Sequence, residues 1–185
     1  MKKQGSPVVS QDVQRDALRD SILAAWKTNA RVTAFLVEGM PVELWDAKVP
    51  GTTRKTVRML AAHLHNCRCG WTRTLGKEFG IAVPASVDRF TVTAEELVPA
   101  LGLSGKGILS LLEFGCEHGG TIPAAKAYVW RNLPLDVGHV LSYFVAHEGH
   151  HRGQIVMLAR ELGFRLPPQV MNGLWDWRRW AKETF

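Results

Sequence analysis

Residues 137–162, VGHVLSYFVAHEGHHRGQIVMLAREL, carry a clear helical pattern. Apolar side chains recur at the three- and four-residue spacing of one helix face, and Asp136 and Gly163 at the two ends are typical of helix start and stop positions. The stretch therefore predicts a long amphipathic helix. Its apolar face is defined by Val140, Leu141, Phe144, Ile155, Leu158, Ala159 and Leu162.

The same periodicity predicts three further long helices, over about residues 11–37, 53–79 and 93–116, and it shows no convincing strand alternation. Four amphipathic helices in 185 residues predict an all-α fold, a four-helix bundle that occupies 1–185 as one domain and ends in a Trp-rich tail over 167–185. A further short turn of helix is expected around Pro41–Trp45. The predicted helix caps, in chain order, are Ser10, then Thr52 or Thr53, and Thr93 with a capping box.

The composition is that of a globular chain, with 46% apolar and 22% charged residues and a formal net charge of +6. Basic residues are scattered rather than gathered into a stripe, so nucleic-acid binding is not expected. Three cysteines without framework spacing and the absence of a signal-peptide pattern indicate a reduced, cytoplasmic protein. No stretch approaches the roughly 18 uncharged apolar residues of a membrane span, so no membrane partner is expected.

Three histidines of the last helix, His147, His150 and His151, lie close together. At about 100° per residue, His151 falls inside the apolar face, His147 at its edge, and His150 more than about 90° away. His147 and His151, one turn apart, can therefore present their imidazole nitrogens to one metal ion. The alternative is that each is a core histidine bonded to a carbonyl or carboxylate, and a third ligand from another helix would decide between the two.

The second helix offers His63 and His65 as that third ligand, and periodicity favours His63 only slightly. Cys67 and Cys69 lie about 200° apart on this helix, so the two cannot bind one ion together. We expect all three cysteines to be packing residues. The same expectation holds for four of the tryptophans, Trp26, Trp45, Trp71 and Trp130.

Two charged residues, Arg68 and Glu148, fall on or near apolar helix faces. Because an unpaired buried charge is costly, we hypothesise that they face each other inside the bundle. Residues 147–151 also match the H-E-x-x-H pattern of zinc proteases, with Glu148 as the base. The lack of strand signal disfavours that interpretation.

Residues 147–155, HEGHHRGQI, resemble the HExxHRGQ-like signature of the DinB/YfiT-like family. Residues 60–66, LAAHLHN, resemble the motif of that family's second helix, and residues 173–177, GLWDW, look like the end of one of its branches. The resemblance spans nearly the whole chain and implies a four-helix bundle with an up-down-down-up arrangement. It also implies a divalent metal, Zn, Ni or Fe, held by His63, His147 and His151, with His65 as the reserve ligand.

Members of the family are often homodimers, and relatives include thiol-dependent transferases and isomerases. The resemblance therefore implies a metal-activated water or thiol acting on a small electrophilic substrate, with a low-molecular-weight thiol as a possible partner. The alternative is a non-catalytic metal-binding or stress-response protein.

For either function, Glu148 is a candidate to orient a ligand histidine or accept a proton. Gln154 is either a hydrogen-bonding partner in the site or, as the pattern favours, a surface amide.

Gly149 and Gly153 form a stripe of small residues on the outer face of the last helix. Since glycine costs about 1 kcal/mol in a helix interior, the stripe predicts close approach of the C-terminal segment or of a second subunit. Trp175, Trp177 and Trp180 could cover the bundle end, line the metal pocket or form a dimer contact, and the sequence leaves these roles open.

Overall fold

The computed structural model describes residues 11–183, and in this range the chain is helical and contains no β-strand. The all-α prediction is confirmed, while the predicted Ser10 cap lies outside the described residues. A 3-10 turn at Lys77–Phe79 extends the third helix. The α-helices are α1 (Gln11–Glu38), α2 (Val42–Trp45), α3 (Val57–Gly76), α4 (Ala94–Glu117), α5 (Val137–Glu161), α6 (Pro168–Gly173) and α7 (Trp177–Trp180).

The helix starts follow from side-chain caps. Asp136 accepts a hydrogen bond from the backbone N–H of His139 at the start of α5, and Thr93 forms the predicted capping box at the start of α4. The predicted start of α3 is wrong by four residues, because Thr56, and neither of the earlier threonines, caps it by accepting a bond from the Met59 N–H.

The four long helices pack against one another: α1 and α3 each contact both α4 and α5, and α4 also contacts α5. The apolar core falls into two clusters. One contains Leu60 and Leu64 of α3 with Ile155 of α5, and the other contains Trp26 of α1 with Phe144 of α5. The middle segments of α3 and α5 lie between these clusters, and they carry the polar residues of interest.

A buried ion pair joins α3 to α5 at this level. Arg68 Nε lies 2.6 Å from Glu148 Oε1 and Arg68 Nη2 lies 2.8 Å from Glu148 Oε2, and both side chains are 1% exposed. The carboxylate also accepts hydrogen bonds from Asn29 and Thr33 of α1. The hypothesised pairing of Arg68 with Glu148 is therefore confirmed, and three helices meet at one carboxylate.

The C-terminal tail folds back on α1. Trp180 is 1% exposed, stacks against Phe35 at 4.5 Å between ring centroids, and donates its indole N–H to the Gly173 carbonyl. Trp175, in contrast, is 82% exposed. The tail is therefore partly core, with Trp180 as its anchor.

The prediction that Trp130 is a packing residue is wrong, because its side chain is 71% exposed. Tyr128, two residues earlier, takes the buried position, and its hydroxyl bonds both the N–H and the carbonyl of Leu133. The loop therefore turns Trp130 outward, whereas Trp26 and Trp45 are buried as predicted.

One helix, α4, bears on the expectation that no stretch could span a membrane. In length and composition it qualifies as a helix that could cross a membrane. It packs against α1, α3 and α5, and core helices pass the same test. The length and apolar composition of α4 are therefore only weak evidence that it spans a membrane.

Candidate metal centre

Three imidazoles meet where α3 faces α5. His63 comes from α3, and His147 and His151 come from successive turns of α5. The ring centroids lie 5.3 Å apart for His63 and His147, 4.8 Å for His63 and His151, and 4.6 Å for the α5 pair. The rings of the three residues that the family resemblance implied as ligands therefore lie near one another, but the group whose ligand atoms lie within 4.8 Å of one another is His63, Cys67 and His147, without His151.

The closest approach in this group suits two ligands of one ion. The Nε2 atoms of His63 and His147 lie 3.3 Å apart. Two nitrogens bound to one tetrahedral zinc at their usual bond lengths are separated by about 3.3–3.4 Å. Imidazole nitrogen is a suitable donor for Zn, Ni and Fe alike, so the donor set fits a divalent transition metal.

The surroundings favour the neutral form of these histidines. Burial, followed by the charges of His151 and His63, lowers the pKa of His147 to about 4. Burial also lowers the pKa of His63 and of His151. A neutral imidazole keeps the lone pair that a metal needs, so the group is suited to bind metal near neutral pH.

Gln154 fixes which nitrogen of His151 is available. Its Oε1 lies 2.7 Å from His151 Nδ1, and because an amide oxygen only accepts, that nitrogen carries the proton. Nε2 is then left with the lone pair, an arrangement typical of metal-binding histidines. Gln154 is therefore both an exposed amide, as the pattern favoured, and a hydrogen-bonding partner of His151.

His65 lies in a different environment from His63. Its side chain is 1% exposed, and its Nε2 lies 2.9 Å from the Ala85 carbonyl oxygen, so this nitrogen is the donor. The same nitrogen lies 3.3 Å from the sulfur of Cys69. This is a core histidine bonded to a carbonyl, whereas His63 is the α3 histidine that faces the α5 pair.

Cys67 is a candidate that the sequence analysis missed. The ligand atoms of His63, Cys67 and His147 all lie within 4.8 Å of one another. Cys67 lies four residues after His63, one turn along the same helix, and this spacing was the signal in the sequence. Burial raises the pKa of the Cys67 thiol to about 11. The thiol is therefore protonated at neutral pH unless a cation lies beside it.

Glu148 follows His147 in the chain but points away from the imidazole group. Burial alone would raise its pKa, but the charge of Arg68 and hydrogen bonds from Arg68 and Thr33 outweigh burial and lower it. Both carboxylate oxygens are already accepting from Arg68, and among the described contacts none joins Glu148 to a histidine ring. Glu148 is therefore poorly placed to serve as the base of an H-E-x-x-H protease.

Aromatic and basic residues border the site. The Tyr143 ring stacks on His147 with a centroid distance of 5.8 Å, and Trp71 packs edge-on against Tyr143 at 5.3 Å. After burial and the charge of His151, the charges of Lys55 and Arg89 also lower the pKa of His63. The site therefore combines an aromatic wall with positive potential.

Fold and site together define a class of protein: a helical chain with a histidine cluster suited to metal binding between two of its long helices. The model of the DinB family matches residues 126–181, which contain α5, α6 and α7. The segment 126–181 is therefore similar to the DinB family, in agreement with the resemblance of residues 147–155 and 173–177, whereas the motif at residues 60–66 lies outside the match. His147 and His151 lie inside the matched segment, whereas His63 comes from outside it. No curated protein matches the chain.

Proposed function

We propose that this chain is a metal-dependent DinB-like protein, an up-down-down-up four-helix bundle in which His63, His147 and His151 bind a divalent ion. The observation that carries the proposal is the 3.3 Å approach of two Nε2 atoms from different helices. Core histidines that serve only packing are bonded to carbonyls or carboxylates, as His65 is to Ala85. Two imidazole nitrogens at this distance share either a proton in a hydrogen bond or a cation, and the metal analysis described below distinguishes the two.

The chemistry that we propose is hydrolysis or thiol S-transfer on a small electrophilic substrate. Three imidazoles leave a coordination position open, and a divalent ion there lowers the pKa of a bound water or thiol. The charges of Lys55 and Arg89 beside His63 favour a substrate with an anionic group or a thiolate. The aromatic wall of Trp71 and Tyr143 suits a small organic substrate.

The alternative is a non-catalytic metal-binding or stress-response protein with the same ligands. The contacts of Glu148 favour it, because the carboxylate nearest in sequence to the ligands is committed to Arg68 and is unsuited to general-base catalysis. A screen of low-molecular-weight thiols with model electrophiles separates the two functions. Metal-dependent turnover that is lost with the metal supports the enzyme.

We further propose a cytoplasmic homodimer that acts on a small molecule and binds neither nucleic acid nor membrane. A Cβ built on Gly153 would meet nothing within 4 Å in the described chain, so the C-terminal segment does not use this glycine for close approach. The glycine stripe and the exposed Trp175 instead border a cavity of about 210 Å³. This arrangement supports the second-subunit interpretation, which gel filtration with light scattering tests.

Metal analysis of the purified protein tests the site. Wild-type protein loaded with Zn, Ni or Fe and desalted should retain one ion per chain, and a His147→Ala/His151→Ala double variant should retain none. His150→Ala is the matched control, because this neighbouring side chain is exposed. Wild-type protein without stoichiometric metal, or equal metal in the double variant, would overturn the proposal.

A further inference from the structure

Cys67 lies on α3 one turn after His63, on the side of the helix that meets α5. We infer that the Cys67 sulfur is a ligand of the same ion, so that the site binds metal through a thiolate as well as imidazoles. The inference rests on the proposed metal site and extends it beyond the three histidines.

The geometry of the described residues supports this role. Each of His63, Cys67 and His147 offers one ligand atom, and these atoms lie within 4.8 Å of one another. A nitrogen and a sulfur bound to one tetrahedral zinc are separated by about 3.6 Å, given their usual bond lengths. The observed limit of 4.8 Å is about 1.2 Å longer than this separation, so the ligand atoms must move closer together when an ion binds.

Burial and the charge of Glu148 raise the pKa of the Cys67 thiol, so a thiolate forms there only beside a bound cation, and one neighbour of the sulfur would then stabilise it. The indole N–H of Trp71, one turn further along α3, donates toward the Cys67 sulfur. An indole nitrogen can only donate, and a donor beside sulfur stabilises its charged form. The sulfur of Cys69 lies instead 3.8 Å from the Ala85 carbonyl oxygen, an acceptor that favours the protonated thiol.

Thiolate ligation has chemical consequences for the site. Binding of M²⁺ at Cys67 breaks the S–H bond and forms an S–M bond, and the released proton goes to solvent. A soft thiolate favours zinc and disfavours hard, oxygen-preferring cations. It also occupies the position that three imidazoles alone would leave open, so a substrate must displace the sulfur or enter as a fifth ligand.

Cobalt(II) substitution tests the inference by spectroscopy. Titration of the full chain with Co²⁺ should produce a thiolate-to-cobalt charge-transfer band in the near ultraviolet that saturates at one ion per chain. Cys67→Ser should lose this band, and Cys69→Ser, the matched control on the other side of α3, should keep it. Far-ultraviolet circular dichroism shows whether each variant is folded.

A second measurement needs no substitution. Zinc should protect Cys67 of the wild-type protein from alkylation, measured by peptide mapping, while the half-buried Cys116 reacts equally with and without zinc. Stoichiometric cobalt without the band, a band that persists in Cys67→Ser, or alkylation of Cys67 that zinc leaves unchanged would overturn thiolate ligation while the histidine site stands. Failure to bind any metal would overturn both proposals.

Discussion

Replacement of Glu148 by Gln removes a buried charge while it nearly preserves side-chain volume. In the structure the carboxylate accepts four hydrogen bonds, at 2.6 and 2.8 Å from Arg68, 2.7 Å from Thr33 and 2.9 Å from Asn29. An amide offers one acceptor oxygen, and its NH₂ group would face donors. Arg68 would therefore remain buried without its counter-charge.

The expected cost follows from the burial of the pair. Removing one partner of a buried ion pair costs about 3–5 kcal/mol in free energy of unfolding. Arg68 retains a hydrogen bond to the Leu101 carbonyl at 2.9 Å, so we expect the lower end, about 3 kcal/mol. For a chain of this size that loss lowers the melting temperature by about 6–12 °C.

Urea unfolding followed by circular dichroism measures this change. Glu161→Gln is the matched control, because it makes the same substitution at an exposed position of α5, and its effect should stay within about 0.5 kcal/mol. A third variant, Arg68→Met with Glu148→Met, removes both charges together. It should recover part of the loss, because apolar replacement of a buried pair is often neutral or stabilising. The recovery is incomplete because Arg152, whose Nη1 lies 3.7 Å from Glu148 Oε2, then lacks its counter-charge.

Two results would refute this reasoning. A loss below about 1 kcal/mol in Glu148→Gln would mean that the pair does not stabilise the packing of α3 against α5. If the double methionine variant loses as much free energy of unfolding as Arg68→Met and Glu148→Met lose in sum, the two charges act independently.

Three further predictions concern close packing, acid stability and ligand orientation. Gly173→Ala should destabilise the protein by about 1–3 kcal/mol in urea unfolding, because the new Cβ would overlap the Phe35 ring. Gly102→Ala in α4, where a new Cβ meets nothing within 4 Å, should instead stabilise it by up to about 1 kcal/mol, and equal effects would contradict the packing. The pKa of Glu148 is lowered in the folded state, so its contribution to stability is present above its ordinary pKa of 4.5 and is lost as the pH falls through the folded value. Wild-type stability should therefore fall more steeply on acidification than that of the Gln variant, and parallel pH curves would contradict this. Gln154→Ala should weaken zinc binding by about 10–100-fold in a competition titration, because His151 loses the partner of its Nδ1, and unchanged affinity would show that Gln154 does not orient the ring.

Part of the candidate site was accessible from the sequence because helix geometry is local. The four-residue spacing of His147 and His151 places them on one side of α5 in any environment, and the apolar pattern indicated that Glu148 would be buried. A buried carboxylate requires a partner, which was enough to predict the pairing with Arg68.

The remaining members of the site could not be chosen in this way. Gln154 was interpreted as a surface amide because periodicity alone does not show that its oxygen reaches His151. Cys67 was overlooked because its two possible partners, His63 on its own helix and His147 on another, meet only after packing.

The sequence by itself determined the helical class, the caps of α4 and α5, and the angular position of each side chain about its own helix axis. Those properties depend on residues within a few positions of each other. Only the tertiary structure decided that His63 faces α5 while His65 bonds the Ala85 carbonyl. The two histidines lie roughly 80° and 120° to either side of the apolar face of α3, so helix geometry favours His63 only slightly. Which of them reaches α5 depends on the element that packs on each side of the helix.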